Sequence, residues 1–319
     1  MKLIKSFEKC EFKEIKVFIF FQNYFLDTCH FSKLIHLIER LYELKNVSKI
    51  FLSSEYKKNQ SIGNLNSKID FIDDNSDHSE IQIVFTFGGD GIILWANKFL
   101  KNNFNGVFIS FNSGHLGFLS SFLISEFDSN IEYILKCFSS DNQSLLEYYE
   151  YPKINCQIFS DDLLQSELNA INEIQICRES LYSVSLDVYI NDIFITTINS
   201  DGLIICSNIG SSAYNCSVNG PLIIPGNDCI IINSIAPFGI NFRPIICTYN
   251  DKIKIRLSSK SNYKIFNVVS DSNKKETVSD LKTEIVLSLN YKNQFKTIKT
   301  SKDVLEEWKS KISKILKWD

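Results

Sequence analysis

The first half of the chain alternates between two hydrophobic patterns. Short runs rich in Phe, Ile and Val predict buried strands, which are residues 16–21, 49–52, 81–87 and 107–111. Apolar residues three and four positions apart predict helices, which are residues 31–44, 92–99 and 126–138. The polar stretch 59–80 predicts an exposed loop. Because strands that alternate with helices form parallel sheets with helices on both faces, this pattern predicts an α/β domain.

The second half has a different pattern, in which short strand-like runs follow one another with few helical stretches. These runs are residues 145–159, 173–177, 184–190, 193–198, 203–206, 229–234, 252–257, 264–269 and 285–289. Turn residues separate them, which is typical of a mostly antiparallel, β-sandwich-like domain. Helical spacing returns at 302–317, and we expect this helix to pack back on the first domain. We therefore predict an α/β domain of residues 1–143 together with 296–319 and an all-β domain of residues 144–295.

Composition narrows the class of protein. The formal net charge of -3 provides no basic surface for nucleic acid. No uncharged apolar run is long enough to cross a bilayer, and the charged N-terminus lacks the apolar core of a signal peptide. The nine cysteines are an odd number without a CxxC pair, which is typical of reduced thiols. We therefore predict a cytoplasmic protein that binds neither nucleic acid nor a membrane.

The candidate chemistry begins at the glycine-rich corner that follows the strand 81–87. Gly88, Gly89 and Gly91 let backbone N–H groups approach a ligand closely, and the N-terminus of the next helix favours an anion such as phosphate. Asp90 interrupts these glycines. A carboxylate beside a phosphate either holds a metal ion or accepts a proton from an attacking hydroxyl, and both roles belong to phosphoryl transfer. The alternative is that Asp90 only caps the helix.

Three later segments carry more glycine and small polar residues than a β-sandwich needs. They are NAINEI at 169–174, SDGLIICSNIGSSAYNCSVNGP at 200–221 and SIAPFGINFRP at 234–244. Together with GGDG and with NSGHLGFL at 112–119, they closely resemble the motifs of the NAD kinases in order and spacing. The resemblance extends from about residue 83 to residue 273. It is more specific than GGDG alone, which also resembles diacylglycerol kinases, sphingosine kinases and phosphofructokinases.

The resemblance implies transfer of the γ-phosphoryl group of ATP, with Mg²⁺, to the 2′-hydroxyl of the adenosine ribose of NAD, which gives NADP. It also implies a two-domain fold, NAD bound between the domains, and a homodimer or homotetramer. Asp90 matches the family's proton acceptor, with Gly91 beside it in the NAD contact and the glycines Gly88, Gly89 and Gly91 against the phosphate donor. The other residues that match NAD contacts are Asn172, Glu173, Asp201, Ser212, Ala213, Tyr214, Ser217 and Asn273.

The chemistry of these residues agrees with the implied roles. The Glu173 carboxylate can accept hydrogen bonds from a sugar diol and the Asn172 amide can donate and accept, while Tyr214 offers a flat face to a ring. Each also has an ordinary structural explanation, because Asn172 and Glu173 suit a turn before a strand and Asp201-Gly202 suits a hairpin.

Several positions depart from the family pattern, namely Ile92, Asn199, Ser207-Asn208-Ile209, Phe238 and Asn273. Ile92 stands where the family usually has Thr, and Phe238 stands where it commonly has His. Two other functions remain open. One is a lipid or sugar kinase that shares the GGDG corner, and the other, motivated by Ile92 and Phe238, is a dinucleotide-binding regulator without turnover. The sequence also leaves open whether the donor is ATP or inorganic polyphosphate and whether the acceptor is NAD or NADH.

Overall fold

The structure, a computed structural model, describes eleven stretches of the chain, which are residues 4–6, 14–22, 30–58, 62, 69–101, 104–114, 117–138, 147–239, 242–272, 274–298 and 304–317. The chain divides into two compact units, residues 1–150 with 295–319 and residues 151–294. The second unit is thus an insertion in the sequence of the first.

A parallel sheet forms the centre of the first unit. The strands described there are β1 (Ile4–Ser6), β2 (Ile15–Phe21), β3 (Val47–Ser53), β4 (Ile69–Ile72), β5 (Ile83–Phe87), β6 (Val107–Asn112) and β7 (Phe122–Leu123). The parallel order is β6-β5-β2-β3-β4. Every residue of β5 and β6 is buried, as expected of strands that are covered on both faces.

Helices supply the rest of the core of this unit. They are α1 (Phe31–Glu43), α2 (Asp90–Phe99) and α3 (Phe127–Phe138). One apolar cluster combines buried side chains of α1 and α3 with those of β2, β3, β5 and β6. The predicted α/β domain with a parallel sheet is confirmed.

One strand lies where the sequence pattern predicted a loop. Strand β4 falls within residues 59–80, and only Ile69 among its four residues is buried. Among the described strands it pairs with β3 alone. The strand reads IDFI, which is apolar at three positions, but it is short and lies at the edge of the sheet within a mostly polar stretch, which explains why the loop prediction was wrong here.

The second unit is an antiparallel sandwich. Its strands, as far as the structure describes them, are β8 (Glu147–Ser160), β9 (Leu163–Ala170), β10 (Glu173–Arg178), β11 (Val184–Ile190), β12 (Ile193–Ser200), β13 (Gly202–Ser207), β14 (Cys229–Ile235), β15 (Ile245–Thr248), β16 (Ile253–Leu257), β17 (Phe266–Ser270), β18 (Lys274–Val278) and β19 (Thr283–Ile298). One sheet has the order β15-β14-β13-β10-β17-β18, and the other runs β12-β11-β16-β19-β8-β9. Buried side chains from both sheets form one core, so the sandwich prediction is confirmed.

Three strands of this unit were not predicted, namely β9, β15 and β18. All three lie at the edges of their sheets. The first residues of β9 are exposed, and β18 reads KKETV. β9 and β18 carry too little apolar pattern to be recognised from the sequence, whereas β15, which reads IICT, is apolar but only four residues long.

The end of the chain returns to the first unit, as the hydrophobic pattern predicted. Lys296 and Thr297 of β19 pair in parallel with Val107 and Phe108 of β6. After the short helix α4 (Tyr214–Ser217) in the second unit, the last helix is α5 (Val304–Leu316), which belongs to the first unit. Within the described ranges, no helix has the length and apolar character that a bilayer crossing requires.

Candidate active site

The glycine corner joins β5 to α2 with a backbone that requires glycine. Gly88 has a φ of +143°, and a Cβ there would lie 2.6 Å from Cγ1 of Ile92. Its N–H donates to the carbonyl of Phe111 at 3.0 Å. The first turn of α2 is open instead, since no atom lies within 4 Å of where a Cβ would stand at Gly89 or Gly91. An anion therefore has room at Gly89 and Gly91, while the amide of Gly88 is already used by β6.

Asp90 is not the N-cap of α2, because Gly89 occupies that position. Its carboxylate turns to the loop after β6, where Oδ2 accepts from the N–H of Phe118 at 2.7 Å and of Leu119 at 3.2 Å. Oδ1 accepts from the N–H of Ser120 at 3.1 Å and from its hydroxyl at 2.7 Å. The capping explanation is therefore wrong, and four donors fix the orientation of this side chain.

The same loop comes so close to Asp90 that it needs glycine. A Cβ at Gly117 would lie 2.1 Å from Oδ1 of Asp90, far inside van der Waals contact. Gly117 belongs to the NSGHLGFL segment that the sequence singled out. His115 and Leu116 of that segment lie outside the described residues.

In the second unit, Asn172 and Glu173 stand at the start of β10, against the loop after β13. The carbonyl of Asn172 accepts from the N–H of Ser207 at 3.0 Å, and that of Ile171 accepts from the Ser207 hydroxyl at 2.8 Å. A Cβ at Gly210 would lie 2.0 Å from the Asn172 carbonyl oxygen. The structure thus packs the two segments together at a position where only glycine fits.

The predicted loop residues follow directly from this contact. A 3₁₀ helix, Ile209–Ser212, leads into α4, and the Ser212 hydroxyl donates to the Ile209 carbonyl at 3.1 Å. Ala213 forms the junction, and Tyr214 and Ser217 begin and end α4. Tyr214 leaves 37 % of its surface exposed, so its ring is accessible to a ligand.

Asp271 is a residue of this site that the sequence did not indicate. Its buried carboxylate accepts from three successive N–H groups, those of Ile171 at 2.7 Å, Asn172 at 2.9 Å and Glu173 at 3.1 Å. The N–H of Asp271 donates in turn to the Glu173 carbonyl at 3.1 Å. The only signal was its place in a short polar turn, 270–273, after an apolar strand.

The pKa values of the two carboxyl groups at this contact, those of Glu173 and Asp271, are both raised. Glu173 is only 4 % exposed, and its Oε2 has no hydrogen-bond partner among the described residues. Burial and then the repulsion of Asp271 raise the pKa of Glu173 to about 7, against a hydrogen bond from Gln175. Burial also raises the pKa of Asp271 to about 6, although its three N–H donors and the Lys153 charge oppose this.

Asp201 lies at the other end of the same strands. Glu173 pairs with Cys206, whereas Cys177 pairs with Gly202, so Asp201 is roughly 16 Å along the ladder from Glu173. There it forms an ion pair with Arg178, with 3.0 Å between Nε and Oδ1. Within the second unit the structure does not bring Asp201 to Asn172. Asn273 lies outside the described residues.

Two of the departures from the family pattern, Ile92 and Phe238, have different surroundings. Ile92 is buried beneath Gly88, whereas Phe238 is 72 % exposed. A cavity of about 720 Å³ lies elsewhere in the first unit, before β5 and β6 at residues that include His78, Gln82 and Lys101, and it contains none of the predicted site residues. Across the described ranges, no group of three His, Cys, Asp or Glu side chains is placed to hold a metal ion.

Comparison with known proteins identifies the family. The model of the ATP-NAD kinase C-terminal domain matches residues 171–315. An NAD kinase of Bacteroides fragilis is 33% identical over 214 residues, which are 66% of this chain and 68% of that protein. The chain belongs to the NAD kinase family. This confirms the resemblance drawn from the sequence motifs.

Other relatives are matched over a smaller part of their length. A bifunctional NADP phosphatase/NAD kinase of Methanocaldococcus jannaschii is 32% identical over 58% of this chain and 31% of its own length. An NAD kinase of Christiangramia forsetii is 32% identical over 57% of this chain and 60% of its own. The match thus spans about a third and three fifths of these two NAD kinase relatives.

Solved structures support the fold. A yeast NADH kinase complexed with NADH superposes with a TM-score of 0.79 at 20% identity, covering 96% of this chain and 89% of that one. An NAD kinase from Archaeoglobus fulgidus in complex with ATP gives a TM-score of 0.67 at 19% identity, covering 93% and 98%. The NAD kinase fold is therefore present over almost the whole chain.

Proposed function

We propose that this member of the NAD kinase family transfers the γ-phosphoryl group of ATP to the 2′-hydroxyl of the adenosine ribose of NAD, forming NADP and ADP. The observation that carries the proposal is the anchored Asp90 carboxylate beside the open backbone of Gly89 and Gly91. Membership of the family supports the choice of NAD and ATP.

Asp90 is the proposed proton acceptor. The hydroxyl oxygen attacks the γ-phosphorus, the bond from that phosphorus to the bridging oxygen of ADP breaks, and the hydroxyl proton passes to Asp90. A carboxylate is a weak base for a ribose hydroxyl, so positioning of the reactants supplies most of the rate and the proton moves late. The amides near Gly89 and Gly91 would lie against the donor phosphates, and Gly91 would also contact NAD.

The second unit supplies the proposed nucleotide contacts. Asn172 and Glu173 would hydrogen-bond ribose hydroxyls. Oε2 of Glu173 supports this, because a buried acceptor that has no partner among the described residues suits a ligand donor. Tyr214 would offer its exposed ring, with the other proposed contacts at Ser212, Ala213, Ser217, Asp201 and Asn273.

We assign Mg²⁺ to the nucleotide rather than to a protein site. The described residues do not fit a dedicated metal centre, since no three ligand side chains converge. Mg²⁺ commonly keeps waters and substrate phosphates as ligands, so it would neutralise phosphate charge as it arrives with ATP. No residue is proposed as its ligand.

A cytoplasmic homodimer or homotetramer is the proposed assembly. Ile193, Phe194 and Ile195 are exposed together on β12, an edge strand, and such edges are commonly covered by a partner. The seven cysteines among the described residues are free, which supports a reducing compartment. Light scattering should give a mass of two or four chains, and a stable monomer would contradict the assembly.

The test is formation of NADP from NAD, ATP and Mg²⁺ by the purified protein. Asp90→Asn should lower kcat by about 100-fold or more, since a positioned base contributes on that scale. Asp128→Asn, at an exposed residue paired only with Lys33 among the described contacts, is the matched control and should keep wild-type activity. Equal rates for wild type and Asp90→Asn would refute the role of Asp90.

The same preparation distinguishes the other functions. Polyphosphate in place of ATP and NADH in place of NAD test the donor and the acceptor. NAD binding in calorimetry without NADP from any donor would indicate a regulator, and phosphorylation of diacylglycerol or sphingosine instead of NAD would indicate a lipid kinase. Either result would overturn the proposal.

A further inference from the structure

Lys311 of α5 is a buried lysine that the sequence analysis did not assign to any site. It is only 7 % exposed, and its Nζ donates to the carbonyls of Phe118 at 3.1 Å and Ser120 at 3.2 Å. Glu307, one turn earlier on α5, accepts from the same nitrogen at 3.0 Å. All three donor hydrogens of the ammonium thus have an acceptor.

The carbonyls that Lys311 holds belong to the loop that holds Asp90. The peptide group between Phe118 and Leu119 uses its carbonyl for Lys311 and its N–H for Asp90. In a trans peptide these two groups point in opposite directions within the peptide plane, so Lys311 and Asp90 lie at opposite edges of one peptide group. A cation at the carbonyl polarises the peptide and strengthens its N–H as a donor.

The second carbonyl fixes the other end of the loop. Ser120 gives its N–H and hydroxyl to Asp90, and its carbonyl to Lys311. The next amide, that of Ser121, donates to the Ser110 carbonyl of β6 at 3.2 Å. Residues 118–121 therefore form hydrogen bonds with Lys311 and β6 on one side of the loop, and residues 118–120 donate to Asp90 on the other.

We propose that Lys311 is a positioning residue for Asp90, which it controls through the peptide groups of Phe118–Ser120. This rests on the proposed function of Asp90 as proton acceptor. Lys311 reaches no reacting atom. Its effect falls on the orientation of the carboxylate, and therefore on kcat more than on the KM for NAD.

The chemistry of the site requires a cation with several donors. Methionine at this position would fill a similar volume, but it would leave two buried carbonyls and the Glu307 carboxylate without a donor. Arginine keeps the charge and the N–H groups, so it can restore part of the contact. Lys314 lies one turn further along α5 and is exposed, which makes it the matched control.

The experiment compares Lys311→Met, Lys311→Arg and Lys314→Met in steady-state kinetics. Lys311→Met should lower kcat between about tenfold and 100-fold, as a small misplacement of a reacting group does, with the KM for NAD within about twofold of wild type. Lys311→Arg should recover at least half of the decrease in log kcat that Lys311→Met causes. Lys314→Met should behave as wild type. A KM effect equal to the kcat effect, or unchanged kcat in Lys311→Met, would overturn the proposal.

Amide hydrogen exchange of the full-length protein gives a readout independent of activity. Lys311→Met should speed exchange at Leu119 and Ser120, whose N–H groups face Asp90, without an equal change in the strands of the second unit. Unchanged exchange at these amides would overturn the positioning role even if kcat fell. If the wild type made no NADP but the exchange changed as expected, the contact would stand and the proposed function would fail.

Glu307→Gln covers the case in which Lys311→Met does not fold. It keeps the helix and the lysine but removes the charge that orients the ammonium, so a smaller change of the same kind is expected at Leu119 and Ser120. No change in exchange and kcat with Glu307→Gln would count against the proposal.

Discussion

The carboxylate of Asp271 accepts a hydrogen bond from the backbone N–H of Glu173 at 3.1 Å, so two buried acidic residues that are far apart in sequence are in direct contact. Both have raised pKa values, and the described partner of Glu173 is the amide of Gln175 at Oε1. This pair makes the candidate ribose site sensitive to pH, and the first two predictions follow from it.

Ionisation of Glu173 should lower the free energy of unfolding. Because its folded pKa, about 7, is above the ordinary 4.5, the folded protein binds a proton more tightly than the unfolded chain does. The stabilising effect of the bound proton is fully present below about pH 4.5 and is lost as the pH rises to about 7, with an upper value of about 3 kcal/mol. Wild type should therefore lose more unfolding free energy than Glu173→Gln between about pH 5 and pH 8. Urea denaturation at both pH values measures this, with Glu167→Gln at an exposed position as the control. If the unfolding free energies of wild type and Glu173→Gln changed by the same amount between these pH values, the prediction would be contradicted.

The affinity for NAD should also depend on Glu173. A carboxylate accepts hydrogen bonds from ribose hydroxyls, and protonation removes part of that capacity. The KM for NAD should therefore rise as the pH falls below about 7. Glu173→Gln should have a higher KM that changes little over the same range. Initial rates at varied NAD and saturating ATP measure this, and a pH-independent KM in wild type would show that the ionised form is not required.

Asp271→Asn should destabilise the fold and weaken NAD binding. Three N–H groups that now meet two carboxylate oxygens would meet one amide oxygen and an NH₂ group, which leaves buried donors unpaired at a cost of about 2–4 kcal/mol. The expected KM for NAD rises because Asn172 and Glu173 lose their support. Asp251→Asn is the control, since that carboxylate serves an exposed turn at Thr248. If Asp271→Asn had the same melting temperature and the same KM for NAD as wild type, this role would be refuted.

Gly117→Ala should reduce kcat without unfolding the protein. The new methyl group would lie 2.1 Å from Asp90 Oδ1, so either the carboxylate or the loop has to move. A displaced base typically costs about 100-fold in rate. Gly114→Ala is the matched control in the same loop, because its nearest described atom, Asn112 Oδ1, would be 3.7 Å away. Equal kcat values for the two variants would show that the close approach at Gly117 is not needed.

The sequence pattern predicted the central strands of the sheets and missed strands at their edges. Strands such as β5 and β6 are buried at every position and apolar at most of them, so a short window is enough to recognise them. The missed strands are β1, β4, β7, β9, β15 and β18, and each pairs with a single described strand, so that half of the possible pairing partners are absent. Their existence depends on a neighbour elsewhere in the chain, which no local pattern contains.

The site divides in the same way. Residues in motifs, such as Asp90 and Asn172, were found because their neighbours in sequence carry the signal. Asp271 and Lys311 act on backbone groups about 100 and 190 residues away, and neither lies in a recognisable motif. Asp201 shows the opposite limit of sequence motifs. It belongs to a motif of the same family as Asn172, yet the two residues lie at opposite ends of the paired strands.

The nesting of the second unit within the first has a consequence for synthesis on the ribosome. The edge of β6 at Val107 and Phe108 is completed by Lys296 and Thr297, which emerge only after residues 151–294 have been translated. At ordinary elongation rates this interval lasts on the order of ten seconds. The nascent chain therefore carries an unsatisfied strand edge through that period, and the whole inserted unit has to be translated before the sheet beneath the glycine corner can close.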